Sequence, residues 1–212
     1  MATVETESKH REQSDDGVVG EGRGVSYGPY DISELTDADR EHMHLSYGSD
    51  VVVKTRSLWF RVLQGSKIYE LTRDDGFVEG LLVEVPGVPD REAMALSISV
   101  SGSPKSQGFW ETTGFATTLK QMDESALSPE KRDVIWGDAI YGHVDQEGGQ
   151  EFFIIGVDGP RWVLKVVAYG HYMSDASFDY AMEVVNSCIV NRGSVAVAPG
   201  TPLDVTILKS EE

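Results

Sequence analysis

Between Ala95 and Ser101 the chain alternates strictly, with Leu96, Ile98 and Val100 on one face. Period two is the signature of a strand with one side in a core. Similar β character runs through Val51–Val53, Ser57–Leu63, Lys67–Thr72 and Phe77–Val85. The turn Arg73-Asp-Asp-Gly76 separates the last two, with glycine in the permissive position, and Pro86-Gly87 ends the run. Then the period changes. From Gly108 to Met122, Thr112, Phe115, Leu119 and Met122 recur at three-to-four spacing. That predicts a helix with one apolar face, capped by Ser106. Asp123 to Asp133 is polar, with Ser128-Pro129 as a new start or a loop.

Three more strands are predicted over Val134–Val144, Glu151–Val157 and Arg161–Tyr169. Phe152-Phe-Ile-Ile155 is apolar on both faces, as a central strand covered from both sides would be. Asp158-Gly-Pro160 turns this strand into the next. Ser174 caps a second helix whose stripe is Phe178, Met182 and Val185. Cys188–Val190 reads as a last short strand, and Leu203–Leu208 as an edge strand. Near the start, Asp37 is placed as the cap of a helical turn reaching Met43.

The resulting order, β-β-β-α-β-β-β-α-β, predicts an α+β fold: an antiparallel sheet with helices packed on it. Leu96, Ile98, Val100, Phe115, Leu119, Phe152, Ile154, Phe178, Met182 and Val185 are expected to share one core. Residues 1–24 hold six acids, three bases and five apolar residues, and are read as a disordered acidic tail. Residues 25–208 are assigned to a single domain and 209–212 to a flexible end.

Charge then narrows the functions. Of 212 residues, 18 are Lys or Arg and 35 are Asp or Glu, a net charge of −17. Such a field repels phosphate backbones and anionic lipid, so neither nucleic acid nor membrane is expected as a partner. The lone Cys188 rules out an internal disulfide and a Cys-rich zinc site. The N-terminus lacks an apolar signal region, and the expected compartment is the cytoplasm.

Few residues suggest chemistry. Asp158, Arg161 and Trp162 form the sharpest cluster. Read functionally, they are a binding patch, with an arginine fork for a carboxylate or phosphate beside a flat aromatic. Read structurally, Asp158 bonds its own backbone across a hairpin, Gly159 takes positive φ, and Trp162 enters the core with Leu164, Val166 and Ala168. Alternation sends Arg161 to the opposite face. His42 and His44 share one side if extended, without the further ligands a metal needs. No serine sits in a Gly-x-Ser-x-Gly elbow, and Cys188 lies in an apolar stretch. His143 and His171 have no nucleophile beside them in sequence. No metal or cofactor is expected. Trp59, Trp110, Trp136 and Trp162 are read as core residues before pocket residues.

Five segments carry a resemblance: Gly28-Pro-Tyr-Asp31, Phe109-Trp110, Ile155-Gly-Val-Asp-Gly-Pro-Arg-Trp162, Val190-Asn-Arg-Gly193 and Pro202-Leu-Asp-Val-Thr-Ile-Leu208. Together they resemble an actinobacterial domain of unknown function, family 3710, over Gly28 to Leu208. The resemblance implies a cytoplasmic actinobacterial protein and carries over no catalytic residues. The element order is also similar to PsbP-like α/β sandwiches, an analogy of topology alone. The reading that follows is a non-catalytic domain that binds another protein. Its rival is a small-ligand binder or enzyme with a pocket between sheet and helices, using Arg161 and His143 or His171.

Overall fold

The computed structural model describes residues 28–39, 50–104, 108–124, 129–144, 149–194 and 196–209. In chain order the strands are β1 (Tyr30–Asp31), β2 (Asp50–Lys54), β3 (Leu58–Leu63), β4 (Lys67–Thr72), β5 (Val78–Val85) and β6 (Met94–Gly102). A π-helical turn, Trp110–Gly114, runs into helix α1 (Phe115–Glu124). Then come β7 (Glu130–Val134), β8 (Gly137–Val144), β9 (Gln150–Gly159), β10 (Trp162–Gly170), helix α2 (Asp175–Asn186) and β11 (Ile189–Val190).

The fold is α+β, as the pattern predicts, with the strands divided between two sheets. Seven strands lie in the order β4-β5-β6-β10-β9-β8-β7, and four in the order β1-β11-β3-β2. The large sheet is antiparallel throughout. The small one has a single parallel pair, β1 with β11. Ser174 caps α2 by accepting the Ser177 amide at 3.2 Å. Gly76 takes φ 82° in the Arg73–Gly76 turn, where its amide donates to Arg73 O.

The expected single core is in fact two, one on each face of the large sheet. Leu96, Ile98, Val100 and Val185 belong to the first, with Phe178 and Met182 packed against it. The side chains of β3 and α2 close that core from the far side. Phe152 and Ile154 belong to the second, with Phe115 and Leu119 packed against it from α1. The split follows from β9 itself. Phe152 to Ile155 is buried on both faces, so alternate residues enter different cores.

Other expectations are corrected. The polar stretch before Val134 contains β7, an edge strand reading Glu-Lys-Arg-Asp-Val that shows no apolar alternation. Leu203–Leu208 is not an edge strand. Leu203 N donates to Val100 O and Val205 N to Val78 O, both on the large sheet, while Leu208 N donates to Lys54 O on the small one. This segment ties the two sheets together. Thr36, and not Asp37, opens the early helical turn: its hydroxyl accepts Asp39 N at 3.2 Å, and the Asp39 carboxylate accepts Thr36 N at 2.9 Å. The tail 1–24, the turn as far as Met43, Ser106, His42 and His44 lie outside the described residues.

Candidate functional site

Gly156 to Trp162 forms the end of the β9–β10 hairpin, and each member has a separate task. Gly156 lies beneath the Trp110 indole, where a Cβ would come within 2.0 Å of the ring. Asp158 reaches the start of the first helix. Its Oδ1 accepts Trp110 N and its Oδ2 accepts Glu111 N, both at 2.9 Å. The carboxylate is therefore an N-cap supplied from another element, and not a clasp on its own turn as expected. Gly159 takes no positive φ. It stays bare because the Trp162 ring covers it, a Cβ there falling 2.0 Å from Cζ2.

The positive φ falls on Arg161, at 66°. Gly159 pairs with Trp162, so Pro160 and Arg161 form a two-residue loop. Proline first and a left-handed residue second is the pattern of a type II turn. Trp162 enters the first core with 1% exposure, alongside Leu164, Val166 and Ala168. Asp158, Arg161 and Trp162 thus diverge: one to the helix start, one to the surface and one to the core.

Trp162 recruits a residue far away in sequence. Its Nε1 donates to Asp31 Oδ2 at 2.9 Å, across 131 positions. Asp31 Oδ1 accepts the Ser33 amide and hydroxyl, capping a 3-10 turn over Ile32–Glu34. The strand that carries Asp31 lies beside β11, with Asp31 level with Val190. Directly after β11, Asn191 Oδ1 accepts Gly193 N at 3.2 Å, and Gly193 is left-handed at φ 72°. A depression of about 410 Å³ opens between these segments, lined by Asp31, Ile32, Ser33, Pro160, Arg161, Asn191, Arg192, Gly193 and Ser194.

Two guanidinium residues, Arg161 and Arg192, border this depression. Asp31, the one carboxylate among the described residues of its lining, already accepts three donors. The lining can offer planar, multidentate donors to a carboxylate or phosphate. Cys188 is buried, its Sγ lies 3.3 Å from Val184 O, and burial pushes the thiol far above its ordinary value. Burial also raises the Tyr30 phenol, which the nearby Arg61 partly offsets. Among the described residues no group of three or more His, Cys, Asp or Glu is placed to hold a metal.

His143 and His171 are far from Arg161. His143 lies opposite Glu151, and His171 follows Gly170 at the other end of the hairpin. Arg161 and His171 are separated by the length of β10, roughly 30 Å at the usual rise per residue. The pairing of Arg161 with either histidine is thereby set aside.

The segments that meet at the depression also agree with a known family over most of the chain. The profile described as "Protein of unknown function (DUF3710)" matches residues 28–211. The chain belongs to the DUF3710 family. No curated protein matches it. The DUF3710 match begins at Gly28, which passes so close to the end of α2 that a Cβ would lie 2.1 Å from Asn186 O. Asp31, Asn191 and Arg192 escaped the sequence reading as site residues. They stand in the segments that carry the resemblance, but nothing local shows that positions 31, 161 and 192 converge. No helix among the described residues is long and apolar enough to cross a membrane.

Proposed function

We propose that this DUF3710 domain is a non-catalytic binding module, and that its depression receives an acidic group of a partner protein. The observation behind this reading is the division of labour in Gly156–Trp162. Every other polar or aromatic side chain there is consumed by the fold, whereas the Arg161 guanidinium is exposed beside Arg192 at a recess of ligand size. Bidentate arginine contacts at a half-enclosed site suit a carboxylate. The overall charge of −17 supports a protein partner over nucleic acid or an anionic membrane. The setting we infer is the cytoplasm, where a single buried thiol stays reduced.

The test is site-directed. A photo-crosslinking residue replaces Ser194, at the rim, in the full chain expressed in its native host. Any captured protein is then purified and titrated against wild-type protein and Arg161→Gly. The reading expects Arg161→Gly to bind at least ten-fold more weakly with its fold intact. Equal affinity for the two proteins would show that the depression is not the recognition site.

A further inference from the structure

The outer face of the large sheet is only half covered. Its side chains form rows across the strands. One row runs Tyr69, Leu82, Ser97, Val167, Ile154, Ile140. The last two are buried in the cluster that α1 closes. In the next row Leu71 lies beside Gly80, and Ser99, Lys165 and Gly156 follow. Gly80 joins the two parts, since a Cβ there would lie 3.4 Å from Leu71 Cδ1 and 3.8 Å from Ser99 Cβ. Tyr69 and Leu71 are 44% and 40% exposed on strand β4. The result is a trough. The Trp110 indole, seated on Gly156, is one wall, and Leu71 with Tyr69 is the other. Three strand spacings separate β10 from β4, about 14 Å of sheet.

Lys165 stands in this trough on the central strand β10, half-buried. It forms no ion pair and no side-chain hydrogen bond with any described residue. The carboxylates on the same face are engaged elsewhere. Among the described residues, Asp158 caps the first helix, Asp138 is held by Lys131 at 2.8 Å, and Glu84 is held by Lys67 at 3.7 Å and by the Tyr69 hydroxyl at 3.3 Å. Ser97, Ser99 and Ser101, opposite Val167, Lys165 and Val163, also lack a side-chain hydrogen bond with any described residue. Burial accordingly lowers the Lys165 pKa, with no acid to restore it. A half-buried amine and three half-exposed hydroxyls on one sheet face can all donate to an acceptor-rich anion. The apolar side chains on both walls mark the place of a hydrophobic body attached to it.

We propose that the trough binds an oxyanion, carboxylate or phosphate, carried on a small apolar body. Lys165 supplies the counter-charge, the serine hydroxyls donate to the oxygens, and Trp110, Leu71 and Tyr69 flank the apolar part. This site is separate from the arginine depression. The test uses full-length protein titrated calorimetrically with octanoate, octyl phosphate and octyltrimethylammonium. At least one of the two anions is expected to bind one-to-one with a submillimolar constant, and which one does so identifies the oxyanion. The cation is expected not to bind. Lys165→Met should weaken anion binding at least ten-fold without lowering the melting temperature, while Arg161→Gly should leave it unchanged. In ¹⁵N-lysine spectra the Lys165 amine should titrate at higher pH when the anion is bound. The proposal fails if neither anion binds below a millimolar constant, if Lys165→Met binds as well as wild type, or if the cation binds equally.

Discussion

At the scale of single residues, the hairpin turn shows how a fold restricts where function can sit. Arg161 carries the left-handed dihedral that the turn requires, which costs a non-glycine residue roughly 1–2 kcal/mol. Arg161→Gly should therefore stabilise the protein, by about 1 kcal/mol in urea denaturation, while removing the guanidinium. Arg161→Ala removes the same group and keeps the strain, so it should show no such gain. Trp162→Phe tests the other side of the turn. It keeps most of the buried ring and deletes the Nε1–H bonded to Asp31 Oδ2. A buried acceptor left without its donor costs about 1–3 kcal/mol, so the loss should exceed that of a simple ring trim. The burial of Trp162 with Leu164, Val166 and Ala168 was legible from alternation alone; the place of Arg161 was not, since it lies in the turn and not on the strand. Nor was the site of positive φ. Sequence favours glycine for it, but Gly159 is held under the indole, and the dihedral passes to the arginine.

At the scale of elements, the sequence pattern reports what an element buries more faithfully than what it touches. The stripe on α1 and the double-sided apolar run of β9 both appear where the periodicity places them. Assigning them to one core failed, because periodicity cannot say which face of the sheet a helix covers. β7 escaped notice for a physical reason: an edge strand is made of charges that discourage further pairing. The cap of the first helix was illegible as well, since its acceptor lies 48 positions from Trp110. That contact gives a prediction. Asp158→Ala should cost about 1 kcal/mol, the usual worth of an N-cap. Amide exchange should accelerate over Trp110–Glu124, with α2 unaffected. Uniform acceleration across both helices would mean that Asp158 supports the whole fold and not one helix end.

At the scale of the whole molecule, the question is what makes two sheets behave as one. The shared core between them is part of the answer, and the C-terminal segment is the rest. Thr55 bridges to Ile207, Arg56 N donates to Thr206 O, and Ser101 bridges to Pro202, so a few residues bond both sheets. Leu203 and Val205 are buried within this tie. At about 1.5–3 kcal/mol for each buried side chain, ending the chain after Pro202 should cost roughly 3–6 kcal/mol. Tryptophans at separated places in the fold, Trp59 on β3 and Trp162 on β10, should then unfold at different urea concentrations.

Asp204 makes this tie sensitive to acid. Partial burial would raise its pKa. The hydroxyl and amide of Thr206, joined by the Arg56 guanidinium at 2.7 Å, outweigh that and hold it below the usual carboxylate value. Because the folded pKa is the lower one, the stabilisation is complete above the unfolded value, about 3.9. It is lost as pH falls through the folded value. Arg56 is largely exposed, so solvent screens its share and the Thr206 bonds carry most of the effect. Asp204→Asn should therefore narrow its stability gap to wild type as pH falls below about 4, while above pH 5 the gap stays constant. A gap independent of pH down to 2 would place the acid sensitivity of the fold elsewhere, and would leave the tie resting on Leu203, Val205 and the backbone bonds alone.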